Sequence, residues 1–560
     1  MFGVELEGKR AVLRLWAPDI RVAKLKILDN RLYQMERNDV GWFEYSVDDI
    51  REGARYFFVV DGKSIPDPAS KYQPDGIYGP SEIVSPNYPW RDEEWKGLDK
   101  EGLVIYEIHT GTFSSEGIFS GVAAKLEYLR NLGVTSIELM PVNQFPGNRG
   151  WGYDGVFPFA VQNSYGGPAG LKALVNAAHL AHLGVILDVV YNHVGPEANY
   201  MQSLGPYFSK RYRTPWGLAL NFDDSGCDEV RRMVLENLEF WIREYHIDGF
   251  RLDAVHAIVD NSPRHILEDI ADAVHKRGRL VIAESDLNDP RIVNPKESCG
   301  YGLDAQWLDD FHHSIHSLLT GERAGYYSDF GSLDHLVRSY QNAFVYDGRY
   351  SVFRKKTHGS PVDPVGCRFV VYIQNHDQVG NRGKGDRIST LLDIQAYMLA
   401  SAAYVLSGYI PMLFMGEEYG ERSPFYYFSD FSDPALIDGV RQGRRIENNQ
   451  FTDPQSDSTF QASKLSWNQD ESILRFYREL LKARKAYLNG CRDFRELSWG
   501  EHWFAVKTGG LYTIYALFDT LVEVAQPGYL LVASNPSFPE VIAAGRVRVN
   551  RGVGVYRISG

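Results

Sequence analysis

Four short segments carry the residue types that acid–base and nucleophilic chemistry needs. They are DVVYNH, with Asp188, Asn192 and His193; GFRLDAVH, with Arg251, Asp253 and His256; IAESD, with Glu284; and QNHDQVGN, with His376, Asp377, Gln378 and Asn381. Each alone has a plain structural use, since a strand-end Asp often caps the next helix. Four in series, all bearing a carboxylate or an imidazole, are hard to explain by capping. Asp253 and Glu284 could flank one bond, which is the pairing that glycoside hydrolysis needs. Arg251 precedes Asp253 by two residues, so on a strand both point to one side. A permanent cation there would keep Asp253 ionised and nucleophilic. Glu284 lies between an apolar strand and Asp286. Burial and that like charge would raise its pKa, as a general acid near neutral pH requires. Asp377 would add negative charge near a developing oxocarbenium ion. His193 and His376 suit the hydroxyls of a reacting ring. No HxxxH or HxH pair occurs among these residues, so a metal site is the weaker reading.

These residues must be held by something, and the surrounding pattern supplies it. From Leu103 onward, apolar strand-like runs alternate with amphipathic helical segments. The strand candidates are LVIYEIH (103–109), TSIELM (135–140), VILDVV (185–190), DGFRLDA (248–254), LVIAES (280–285), LDAQWL (303–308), RFVVYIQNH (368–376) and YIPMLFMG (409–416). Continuous apolar strands mark a parallel sheet covered on both faces. Eight such units predict an α/β fold, a (β/α)8 TIM barrel, with function gathered at the C-terminal strand ends. The chemical segments fall at those ends. Short alternating runs before and after predict a β-sandwich over 1–90 and a C-terminal β-domain over 491–560, leaving 91–490 for the barrel. Gly509-Gly510 reads as a hairpin turn in the last domain.

Composition narrows the function classes. The 560 residues carry 59 Lys+Arg against 72 Asp+Glu, a net charge of −13, which argues against a nucleic-acid partner. A hydrophobic content of 44% is that of a packed protein. Cys227, Cys299, Cys367 and Cys491 form no CxxC, so neither a metal knuckle nor a disulfide scaffold is expected. The opening MFGVELEGKR has no apolar signal core. The greasiest stretch, 399–415, is broken by Ser401, Ser407, Gly408 and Pro411, so no membrane span is expected and the reading is cytoplasmic. Aromatic residues make up 13%. Most belong in the core, but Trp151, Tyr153, Trp216, Trp307 and Phe311 are expected in loops where sugar rings could stack.

DVVYNH, GFRLDAVH, IAESD and QNHD, in that order, resemble the four sequence regions of the α-amylase superfamily, glycoside hydrolase family 13. The resemblance implies a retaining double displacement with Asp253 as nucleophile, Glu284 as acid/base and Asp377 as transition-state stabiliser. It implies hydrogen bonds to the reacting glucose from Arg251, His193 and His376, stacking by Tyr153 of WGYD, and substrate binding by His256. A sandwich before the barrel resembles branching enzymes, isoamylase-type debranching enzymes and maltooligosyltrehalose trehalohydrolases. IPDPASKYQPDGIYGPS (65–81), FPGNRGWGYDGV (145–156), ESDLNDPR (284–291), QWLDDFHHSIH (306–316) and DPQSDSTFQASKLSW (453–467) look like the last group. That resemblance implies a maltooligosyltrehalose substrate and no cofactor or metal. It also implies that Asp309, Asp310, Phe311, His312 and His313, with Gln378 and Asn381, bind substrate beyond the scissile bond. The DDFHH run also fits a helix N-terminus with capping acids.

Overall fold

The computed structural model describes residues 2–29, 31–364, 367–488 and 495–558; Cys491 lies outside them. Eight parallel strands close into a barrel: β1 (Ile105–Ile108), β2 (Ser136–Leu139), β3 (Gly184–Val189), β4 (Gly249–Leu252), β5 (Leu280–Ala283), β6 (Ala305–Trp307), β7 (Phe369–Val371) and β8 (Ile410–Phe414). Seven lie within the apolar runs read from sequence, and β3 starts one residue ahead of its run, at Gly184. The strands are buried on both faces, which is why alternation is absent from them.

Register puts polar groups inside the barrel at matched heights. Glu107 on β1 is opposite Glu138 on β2, and Asp188 on β3 is opposite Arg251 on β4. Asp253 and Glu284 sit just past the last residues of β4 and β5. Their amides continue the ladder, Asp253 N–H to the Val189 carbonyl and Glu284 N–H to the Leu252 carbonyl.

Before the barrel, two antiparallel sheets enclose Leu13, Leu15, Leu25, Phe43 and Phe58 as a sandwich. After it, a six-stranded sheet and a two-stranded one cover a separate small core with Ile514 and Val522. Thr508 pairs with Leu511 across Gly509-Gly510, with Gly509 at φ 54°, so the hairpin turn falls where expected.

Three helices beyond the strands matter for the site: α1 (Asp309–Thr320), α2 (His376–Gly380) and α3 (Pro434–Asn448). Asp433 caps α3 through its bonds to the Ala435 and Leu436 amides, with Pro434 at the first turn. None of its residues is fully buried. Its apolar stripe is short, Leu436, Ile437 and Val440, all half-buried. Among the described residues no helix is long and apolar enough to cross a membrane.

Candidate active site

The strand ends of β3, β4, β5 and β7 open into one cleft of about 440 Å³. Asp253, Glu284, His376 and Asp377 form its floor. Trp151, Tyr153, His193, Trp216 and Tyr427 form walls, and Leu436, Val440 and Arg444 of α3 close one side.

Arg251 organises the floor. Its side chain is inaccessible to solvent, and its guanidinium lies 4.2 Å from the Trp307 ring centre. Nη1 donates to Asp253 Oδ1 at 2.8 Å and to both Asp188 oxygens at 3.0 and 2.9 Å; Nη2 donates to Glu284 Oε2 at 2.8 Å. One fixed cation thus holds both carboxylates in place. Asp253 Oδ2 accepts a second bond from Asn192 Nδ2, at 2.8 Å. Glu284 Oε2 accepts one from the Ala254 amide, at 2.8 Å. Ala254 has φ 41°, a left-handed conformation uncommon for a residue with a Cβ. That strain aims its N–H at Glu284 instead of into the sheet.

Burial pushes the Glu284 carboxyl up. Arg251 opposes this, while Asp253 and Asp377 reinforce it. The direction matches the sequence expectation but the source of like charge does not. Asp286 faces outward, toward Arg354 at 3.3 Å and His256 at 4.0 Å.

His376 and Tyr153 form a relay. Burial disfavours charge on His376, but Asp377 and Glu107 outweigh it and raise the imidazole to about 9. As an imidazolium it donates through Nδ1 to Glu107 at 2.5 Å and through Nε2 to the Tyr153 hydroxyl at 2.8 Å. Tyr153 in turn donates to Asp188 at 2.7 Å. The Tyr153 ring stacks on His376, with centroids 5.2 Å apart. Both His376 nitrogens are therefore spent on protein oxygens, and so are those of His193. Its ring nitrogens lie 2.5 Å from Asn192 Oδ1 and 3.1 Å from the Tyr153 carbonyl. Trp216, at the tip of a hairpin, stacks over His193 at 5.7 Å. Half exposed, it presents its other face to the cleft.

The DDFHH run divides, because successive helical residues point about 100° apart and five in a row cannot share a face. Asp309, at the start of α1, turns toward the site and accepts from the Tyr372 hydroxyl and from Gln378. Burial raises it to about 7, and Glu284 and Asp377 are among the charges it feels. Asp310 points away and holds the Val345 and Tyr346 amides and Asn288. Phe311 is fully buried against Tyr340. His312 is bound to the Ile373 carbonyl and the Tyr327 hydroxyl. His313 is buried behind Tyr326, at 4.5 Å. Asp310, Phe311, His312 and His313 are not among the residues that line the cleft.

Three more expectations change. His256 lines a separate hollow with Leu287 and Arg291 beside the cleft. Gln378 uses its carbonyl to accept from the Asn375 amide, capping α2, and its NH2 on Asp309. Trp307 is a buried strand residue under Arg251 and no stacking loop. Sequence reasoning missed Glu107, Tyr427 and Arg444. A lone acid within LVIYEIH marked the first, but nothing local marked the other two. Among the described residues no cluster of His, Cys, Asp and Glu could hold a metal ion.

Comparison with known proteins agrees with this arrangement. Residues 85–214 match the family model for the alpha-amylase catalytic domain, and residues 491–557 match that for the alpha-amylase C-terminal domain. The chain is 59% identical to malto-oligosyltrehalose trehalohydrolase of Saccharolobus solfataricus, over 100% of both chains. It is 40% identical to the protein of that name from Rhizobium sp., covering 92% of this chain and 93% of that one. A crystal structure described as an alpha amylase from Salmonella typhimurium superposes with a TM-score of 0.91 at 38% identity, over 100% of this chain and 99% of that one. Pullulanase from Anoxybacillus sp. LM18-11, at 19% identity and a TM-score of 0.76 over 100% of this chain and 86% of that one, shares the fold. Identity at this level over the whole length places the chain in the malto-oligosyltrehalose trehalohydrolase family, within the alpha-amylase enzymes.

Proposed function

We propose that this chain hydrolyses the α-1,4 bond next to the terminal trehalose of a maltooligosyltrehalose, releasing trehalose and a maltooligosaccharide. The observation that carries the reading is Arg251, which fixes Asp253 and Glu284 on one guanidinium while burial pushes Glu284 toward its protonated form. A paired carboxylate and a carboxyl held protonated suit a nucleophile and an acid. Glu284 gives its proton to the glycosidic oxygen as an Asp253 oxygen attacks the anomeric carbon. The C–O bond breaks, trehalose leaves, and a glycosyl ester to Asp253 remains. Glu284, now a carboxylate, takes a proton from water, which attacks the same carbon and frees the maltooligosaccharide with retained configuration. Asp377 faces the positive charge that develops on the ring in both steps. Tyr153, His193, Trp216 and Asn381 line the path of the sugar chain. We place the reaction in the cytoplasm, the compartment that keeps thiols such as Cys227 and Cys299 free.

Product analysis tests this on maltooligosyltrehalose and on a plain maltooligosaccharide of equal length. Free trehalose, with much slower cleavage of the plain chain, supports the reading. New α-1,6 linkages would make the protein a branching enzyme. Asp253→Ala should stay folded by circular dichroism and lose at least about a thousandfold in kcat; near-normal activity would remove Asp253 from its role.

A further inference from the structure

We infer that Arg444 is a positioning residue for Asp377, acting through the side-chain amide of Asn381. The inference rests on the role proposed above for Asp377. Asp377 is two-fifths exposed at the mouth of the cleft. It sits in α2, a helix of five residues whose start is held by the Asn375–Gln378 capping box. Asn381 follows that helix, and its Nδ2 donates to Asp377 Oδ1 at 3.0 Å. A carboxamide can present either end, and what selects the NH2 end here is Arg444. Its Nη1 donates to Asn381 Oδ1 at 2.7 Å, so the oxygen faces Arg444 and the NH2 faces Asp377.

Arg444 also clamps the end of α2. Nη2 donates to the Gly380 carbonyl, one of the helix's last acceptors, and Nε reaches Gln450. The guanidinium lies 4.5 Å from the Tyr427 ring centre, which fixes its plane. Asn448, one turn further along α3, donates to the Asn381 carbonyl at 2.9 Å. Leu436, Val440 and Arg444 recur every fourth residue, so one stripe of α3 faces the cleft. A fork with two outward nitrogens can hold an amide oxygen and a backbone carbonyl at once; an ammonium on a flexible stem cannot hold the same plane.

The test compares Arg444→Met, Arg444→Lys, Asn381→Ala and the Arg444→Met/Asn381→Ala double variant, with Asp377→Asn as reference. Because α3 buries none of its residues fully, the Arg444 single variants should keep their melting temperature within a few degrees. Arg444→Met should lower kcat about 10- to 100-fold with KM within about twofold, the signature of misplaced transition-state contacts. Its alkaline pH limb should move less toward acid than in Asp377→Asn, because Asp377 keeps its charge. Lysine should not rescue, and the double variant should be no worse than the poorer single one. A raised KM with normal kcat would make Arg444 a substrate contact or wall, and additive losses would mean it acts independently of Asn381. Either overturns the inference. If Asp377→Asn is inactive while Arg444→Met is normal, this inference alone fails; if Asp377→Asn is itself active, the role of Asp377 fails first.

Discussion

Arg251 touches both reacting carboxylates, so a change in one is felt by the other. Glu284 is held up by burial and by the negative charges of Asp253 and Asp377. Asp377→Asn removes one of these like charges. The Glu284 pKa then falls, and the acid loses its proton at lower pH. The alkaline limb of kcat/KM should therefore move toward acid, together with a loss in kcat of roughly 10²-fold or more. A limb that stays in place or moves up would show that Asp377 does not face Glu284 in the working enzyme. His193 and His376 show how far residue type alone reaches. Both were legible as site residues, yet their nitrogens are committed to Asn192, Tyr153 and Glu107. Which polar atom a ring nitrogen meets depends on strands far apart in sequence.

At the scale of elements, the turn after β8 carries the least expected cost. Glu417 is buried, and burial raises it to about 7 against bonds from the Tyr404 and Tyr477 hydroxyls at 2.6 and 2.9 Å and from Gln374 at 3.1 Å. An unfolded Glu titrates near 4.3. Between these values the folded chain binds more protons than the unfolded one, so stability falls as pH rises across the window. Glu417→Gln cannot titrate. The drop in melting temperature from about pH 5 to about pH 8 should shrink in this variant; an unchanged drop would mean that Glu417 is not a source of it. The barrel strands were readable because each is an apolar run bounded by polar segments. The DDFHH run misled because a helix rotates successive residues to different sides, and only the packing of α1 decides which side is the cleft. Helix α3 places Leu436 and Val440 at the cleft, but its contact with α2 is made by single polar groups such as Arg444, which hydrophobic pattern does not mark.

For the molecule as a whole, the N-terminal sheets and the segment after them are tied to the barrel by polar contacts. Lys71 pairs with Glu244 at 2.8 Å, the Phe2 amide donates to Glu236, and the Tyr207 hydroxyl donates to the Trp16 carbonyl. The first pair is largely buried, and breaking such a pair costs about 3–5 kcal/mol. Lys71→Met should therefore lower the melting temperature while leaving kcat and KM at moderate temperature near wild type; a change in KM would instead tie the sandwich to substrate. The net charge of −13 has no counterpart on an uncharged glucan. Electrostatic steering is absent for such a substrate. Raising salt from about 0.05 to 0.5 M should leave kcat/KM within about twofold. A steep salt dependence would point to a charged ligand.

The amino-acid sequence by itself determined the eight apolar strands, their order, and the carboxylates at their ends. Those features are local: a run of branched side chains and the residue that follows it. It also determined the family, because Asp253, Glu284 and Asp377 stand in segments of characteristic order. Tertiary structure alone decided which neighbours those groups have. Asp188, Asp253 and Glu284 meet on Arg251 because barrel closure brings β3, β4 and β5 side by side at one height. Asp286, adjacent in sequence to the acid, is turned away, while Asp377, far along the chain, supplies the like charge. Arg444 reaches Asn381 from a helix more than sixty residues further along the chain. Electrostatics and hydrogen bonding act through distances in space, and only the closed barrel sets those distances.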